Sequence, residues 1–240
     1  MVSGRDDAGG TAGAATFDEY ADDYREVVQR SISFSGVEQE LFTRRKARHL
    51  LDVVRRRLGP PGDVRALDVG CGVGLTDEYL VGRLGELEGT DVSAEAVRRA
   101  ASANPSVRYS ASEGDAFPYE DGRFDLVFAF CVLHHVPPDE RPRFVAEVQR
   151  VVRPGGLVVV LEHNPFNPLT RLAVARCDFD EDAVLLTSRT AHRLLRDGGL
   201  RPVERRYVIL LPTEAPRLVA AERVVASLPL AAQYYVAARR

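Results

Sequence analysis

Gly70, Gly72 and Gly74 stand at alternate positions in LDVGCGVGLTDEYL, residues 67–80, directly after an apolar run that carries Asp68. Glycine lets a chain turn sharply and lets a ligand press against bare backbone. In an open α/β sheet, a turn of this kind at the carboxyl end of a strand is where ligands bind. A dinucleotide fingerprint reads GxGxxG and aims a helix N-terminus at a pyrophosphate. Here the third glycine, Gly74, comes one residue early and Leu75 takes its place. A Walker loop needs GK[ST], which the stretch lacks. The loop therefore suits an adenosine ligand without a phosphate chain. A plain tight turn between strand and helix is the other reading of such glycines.

Carboxylates favour the ligand. Asp91 lies some twenty residues on, at the end of a second apolar run, where a carboxylate can accept both ribose hydroxyls. Asp115, in SEGDAFP, follows a third run and is placed to accept from an adenine amine. Asp68 sits at the lip of the first run, near any cationic amino group. S-adenosylmethionine fits this set, with its adenine, ribose, sulfonium and amino-acid tail. Each aspartate alone would read as a solvated loop residue.

His134 and His135 follow a fourth apolar run, and Glu162 and His163 end a fifth. Histidine titrates near neutrality, so His134, His135 and His163 are candidate general bases. Packing under a loop or bonding to backbone is the alternative for each. His49 and His192 read as helix-surface or packing residues. Glu162, Asn164 and Asn167 are oxygen ligands near one strand end, but Pro165 and Pro168 interrupt them, and no metal site is expected. The acidic stretch CDFDEDAVL, residues 177–185, reads as a helix-capping loop; facing a cationic or hydroxylated substrate is the alternative.

The elements that must position these residues alternate. A helix is expected over Phe17–Ile32 and a longer one over residues 36–59, stopped by Gly59-Pro60-Pro61-Gly62. Strands are expected over 64–70, 87–92, 106–112, 124–133 and 157–164, with helices over 74–85, 93–104 and 138–152. Short continuous apolar runs alternating with helices mark a mostly parallel sheet covered on both faces. A helix over 187–200, a strand over 201–212, a helix over 216–228 and a strand over 231–239 complete the chain.

The chain has 240 residues, 45% hydrophobic and 28% charged, with a net charge of −3. This is an ordinary globular composition. It asks for no polyanion, so nucleic acid is not an expected partner. The run Arg55-Arg56-Arg57 reads as a solvated helix end. Cys71, Cys131 and Cys177 form no CxxC pair, so neither a disulfide framework nor a zinc site is expected, and a reducing cytoplasm is the natural home. Residues 1–16 lack an apolar signal segment and read as a disordered leader. No run approaches the length of a membrane span.

Taken in order, LDVGCGVG, GTDVS, EGDAFPYEDGRFDLVFAFCVLHHV and RVVRPGGLVVVLEHNP resemble the class I S-adenosylmethionine (SAM)-dependent methyltransferases of the small-molecule type. The resemblance covers roughly Phe17 to the C-terminus. It implies an α/β, Rossmann-like seven-stranded, mostly parallel sheet with an antiparallel last strand and helices on both faces. It implies an N-terminal helical lid over 17–58 and a core over 59–240, with a substrate-facing insert near 165–186. It implies that Gly70, Cys71, Gly72 and Gly74 line the methionine and ribose portion of the cofactor. Asp91 would hold the ribose, with Val92 against the adenine; Asp115 and the Ala116 backbone would read the adenine edge. The Phe130 carbonyl would take the amino group. Tyr20 or Tyr24, with Lys46 or Arg45, would meet the carboxylate.

The activity so implied is methyl transfer to an O, N or C acceptor on a small molecule, with S-adenosylhomocysteine (SAH) as product, in natural-product or cell-surface sugar metabolism. A SAM-supported cyclisation, a non-catalytic SAM-binding subunit and a nicotinamide-dependent oxidoreductase are the alternatives.

Overall fold

The computed structural model describes residues 24–114 and 116–240. The expected leader over 1–16, the start of the first helix, Tyr20 and Asp115 lie outside the described residues.

Helices α1 (Tyr24–Ile32) and α2 (Gln39–Arg57) come first. The Gln29 amide joins them: it donates to Val37 O at 3.1 Å and accepts from Gln39 N at 2.8 Å. Strands β1 (Arg65–Val69), β2 (Glu86–Asp91), β3 (Arg108–Ala111), β4 (Phe124–Phe130) and β5 (Val152–His163) follow. α3 (Ala94–Ala103) stands between β2 and β3, with Ser93 as N-cap accepting from Ala96 N at 3.0 Å. α4 (Arg141–Val151) precedes β5, and α5 (Pro168–Val174) follows it. α6 (Ser188–Asp197), β6 (Arg201–Val208), α7 (Pro216–Val225) and β7 (Gln233–Arg239) end the chain.

One seven-stranded sheet runs in the order β3-β2-β1-β4-β5-β7-β6. β7 is antiparallel to both of its neighbours and every other pair is parallel. The strand order reverses between β1 and β4. That switch point opens a crevice at the carboxyl edge of the sheet, where Asp68, Asp91, Phe130 and His163 stand at or near strand ends.

Alternation along β4 divides the core. Val127 and Ala129 pack with Phe144, Val145 and Val148 of α4 and Leu195 of α6. Leu126 and Phe128 pack on the other face with Leu50, Leu51, Val53 and Val54 of α2. Fully burying each such side chain stabilises by roughly 1.5–3 kcal/mol. The long helix is therefore held by its apolar face, and it carries Lys46 to the sheet's carboxyl edge.

The helix expected over 74–85 does not form. A single 3-10 turn, Asp77–Tyr79, stands there instead. Gly74 and Gly82 both take left-handed φ, +76° and +71°, which ends an α-helix on either side of 75–81. Asp77 is buried and accepts from Tyr109 OH at 2.8 Å, pinning the turn to β3. In the expected insert, Asn167 caps α5 by accepting from Leu169 N and Thr170 N, and a second 3-10 turn follows at Asp178–Asp180.

Arg45 is turned away from the crevice. It is 1% exposed and pairs with Glu222 of α7 at 2.5 Å, while also donating to Thr213 O. Removing one partner of a buried ion pair strands the other charge. Glu222→Ala is expected to destabilise by about 3–5 kcal/mol in urea unfolding. The double variant Arg45→Met/Glu222→Met should recover most of that loss.

Candidate functional site

A cavity of ≈ 260 Å³ opens at the switch point. Its floor is the glycine loop with Asp68, its walls are the ends of β4 and β5, and α1, α2 and α5 close around it. Of the residues expected to meet a cofactor, Tyr24, Lys46, Asp68, Gly70, Cys71, Gly72 and Phe130 line it. Asp91, Val92, Ala116 and Gly74 stand outside its wall.

The glycines do different work. At Gly72, with φ +53°, an added Cβ would meet nothing within 4 Å, so its bare face looks into open space. At Gly70 a Cβ would strike Val132 Cγ2 at 2.4 Å, and at Gly74 it would strike Asn104 Nδ2 at 2.7 Å. Gly74 is thus a packing glycine. Asp91 fixes the loop from the side: its carboxylate accepts from Gly72 N at 2.7 Å and from Ser93 N at 3.0 Å.

Below the loop, Asp68 Oδ1 and Asp77 Oδ1 are buried, and neither has a donor. The two carboxyls repel each other when both are ionised. Burial, with the facing Asp77, pushes Asp68 well above the usual carboxylate range, against the pull of Lys46. Burial raises Asp77 to about 7, against hydrogen bonds from Tyr109 and Asp68. Such a pair under a cavity floor suits a cation: an ammonium group would neutralise it.

Beside it, Cys131 ends β4 in the left-handed region at φ +60°. Its Sγ accepts from Lys46 Nζ at 3.2 Å. Burial alone would push this thiol up, but the Lys46 ammonium and His163 bring it down to about 7.

The three candidate histidines come together at the far end of the cavity. His134 is buried, and its Nδ1 lies 2.6 Å from Glu162 Oε2. Glu162 Oε1 accepts from Val132 N at 3.0 Å and Leu133 N at 2.7 Å. Asp180 Oδ1 stands 3.4 Å from His134 Nε2 and 3.2 Å from His135 Nε2. The His163 ring centroid is 5.1 Å from that of His134. Burial works against a proton on His134, but Glu162 and Asp180 outweigh it and raise the imidazole to about 10. Burial and the His134 cation lower His135 to about 3.

Asp180 is the residue that sequence reasoning missed. In the acidic stretch favoured as a capping loop, Asp178, Glu181 and Asp182 face solvent, whereas Asp180 is folded inward and 8% exposed. Phe179 beside it stacks on Tyr24 at 5.1 Å, joining α1 to this turn. A carboxylate flanked by buried Cys177 and aromatic Phe179 was the available signal. Asn164 and Asn167 serve the backbone instead: Asn164 donates to Pro229 O and Ala231 O, and Asn167 caps α5.

Residues 67–160 match the methyltransferase domain family. This segment is similar to methyltransferase domains. The chain is 34% identical over 109 residues to 2-methyl-6-phytyl-1,4-hydroquinone methyltransferase of Synechocystis sp., covering 44% of this chain and 33% of that protein. It is 36% identical over 104 residues to the chloroplastic tocopherol O-methyltransferase of Arabidopsis thaliana, covering 40% of this chain and 29% of that one. The chain thus spans about a third of the length of these relatives. The fold extends further than the sequence match. A putative methyltransferase of Haloferax volcanii, solved in complex with the Trm112 methyltransferase activator, superposes with a TM-score of 0.65 at 19% identity, covering 99% of both chains. Among the described residues, no helix is long and apolar enough to cross a membrane.

The Asp68–Asp77 pair gives a pH prediction. Both carboxyls are raised in the folded protein, so the pair holds a proton near pH 7. A ligand ammonium at Asp68 favours the ionised form, so binding should release that proton and affinity should rise as pH increases through 7. Calorimetry of SAH binding in buffers of different ionisation enthalpy measures the release. Asp77→Asn removes the neighbouring anion and should shrink it.

Proposed function

We propose that this domain transfers the methyl group of SAM to a nucleophilic oxygen, nitrogen or carbon of a small, mainly apolar molecule, with a hydroxyl as the acceptor that best suits the site. One observation carries the reading: a single cavity runs from the bare Gly72 backbone and Asp68 to His135, His163 and Asp180. Cofactor chemistry and proton chemistry therefore meet in one enclosed space.

SAM supplies a methyl group on a cationic sulfur that leaves as a neutral thioether. The chain's own residues do the rest. Asp91 holds the loop and receives the ribose, beside Val92. The Ala116 backbone reads the adenine edge, and the sequence offers Asp115 for the same role. Asp68 and the Phe130 carbonyl receive the amino group, Lys46 receives the carboxylate, and Tyr24 closes the cavity from α1. His163 lines the acceptor end, and its Nδ1 is buried without a hydrogen-bond partner. It removes the acceptor's proton, while His134 is held in place by Glu162. Alignment of this kind contributes about 7–11 kcal/mol to such displacements, and a positioned base adds roughly 10²–10⁴-fold.

Phe34, Phe42, Val174, Phe179 and Ile209 give the cavity an apolar wall. That wall favours an aromatic or terpenoid natural product over a sugar. The hydroquinone and tocopherol methyltransferases among the relatives act, by name, on molecules of that character.

Incubation with SAM and a panel of hydroquinones, phenols and terpenoid alcohols should give a product heavier by one methyl group, with SAH in equal amount by mass spectrometry. His163→Ala should lower kcat by roughly 10²–10⁴-fold with SAH affinity retained. A product of unchanged mass with SAM intact, or no turnover across the panel, contradicts the proposal.

A further inference from the structure

The acceptor end of the cavity brings together two imidazoles and a carboxylate from separate segments. His134 and His135 follow β4, and Asp180 comes from the turn after α5. One donor atom of each lies within 4.8 Å of those of the other two. Their arrangement is not that of a settled hydrogen-bond network. Glu162 engages His134 Nδ1 at 2.6 Å, which leaves Nε2 directed at Asp180; an ion bound there would take the place of the Nε2 proton. Asp180 Oδ1 stands 3.4 Å from that nitrogen and 3.2 Å from His135 Nε2, is buried, and has no hydrogen-bond partner.

We propose that His134, His135 and Asp180 form a binding site for a divalent transition-metal ion, with Glu162 as the outer carboxylate that orients His134. The spacing suits such an ion. Metal–nitrogen and metal–oxygen bonds of about 2.0–2.2 Å in tetrahedral geometry set neighbouring donors about 3.3–3.5 Å apart, close to both Asp180 distances. Two histidines and one carboxylate suit zinc, iron, cobalt or manganese better than magnesium, which prefers an all-oxygen shell. The Glu162–His134 pair reproduces the carboxylate–histidine–metal arrangement that fixes ligand tautomers. Val132 N and Leu133 N hold Glu162 in turn. Three protein ligands leave at least one coordination position open. His134, His135 and Asp180 all line the cavity, so that position faces its interior. There the ion would anchor an anionic oxygen of the acceptor; this last role rests on the proposed methyl transfer, whereas metal binding does not.

Cobalt(II) tests the site without reference to activity. The full chain, stripped with a chelator and dialysed, is titrated with Co²⁺ alone while visible d–d absorption and heat are recorded. The expected result is one ion per chain, with absorption typical of four- or five-coordinate nitrogen–oxygen ligation, displaced by Zn²⁺. Asp180→Asn and His135→Gln should abolish the absorption, and Glu162→Gln should weaken binding by about 10–100-fold. Circular dichroism and SAH calorimetry identify variants that remain folded. Absence of Co²⁺ binding to the native chain overturns the proposal. Equal binding by a folded Asp180→Asn variant does so too.

Discussion

The site depends on one carboxylate reaching across the strand ends. Asp91 leaves β2 and takes the Gly72 N–H at 2.7 Å, tying the glycine loop to the sheet. A hydrogen bond to an ionised acceptor contributes about 1.5–3 kcal/mol, a large share for a loop with little side-chain packing of its own. With the loop held, Gly72 presents bare backbone to the cavity while Gly70 and Gly74 seat against Val132 and Asn104. Strand order makes the arrangement possible. Because the chain leaves β1 toward β2 and leaves β4 toward β5, in opposite directions along the sheet, space is left above Asp68, and α2 delivers Lys46 to the same cavity.

Around that loop the domain buries charge that stability alone would not favour. Asp68 and Asp77 lie together under the floor, and His134 lies between two carboxylates. Desolvating such groups costs several kcal/mol each, and pairing only partly offsets it. Arg45 and Glu222 differ in kind, because every oxygen and most donors of that pair are used to join α2 to α7 and its preceding loop. The Asp68 and Asp180 oxygens are left without donors, and both face the cavity. Buried polar groups left open on the wall of an enclosed space are the signature of a ligand rather than of a structural network.

Much of this was legible in the sequence. Continuous apolar runs gave the parallel strands, and the strand–helix–strand ending agreed with the antiparallel β7. Gly70, Gly72 and Asp68, which line the cavity, were identifiable from residue type and position. The helix after the loop was not, because its apolar residues kept helical spacing while Gly82 and the buried Asp77 broke it. Asp180 was not legible either. Acidic residues in a polar stretch usually face water, and only the stacking of Phe179 on Tyr24 turns this one inward. Its partners lie more than forty positions away, so no local pattern joins them. Arg45 and Lys46 could not be told apart without knowing that α7 claims the arginine.

The central claim is that Asp91 organises a cradle for a phosphate-free adenosine. Calorimetric titration of SAH into the native chain and into Asp91→Ala tests it most directly. Losing a charged bond worth about 1.5–3 kcal/mol should weaken binding by roughly 10–150-fold, with the melting temperature of the unliganded protein falling by several degrees, at about 2–4 °C per kcal/mol. Equal affinity in the two proteins would contradict the account.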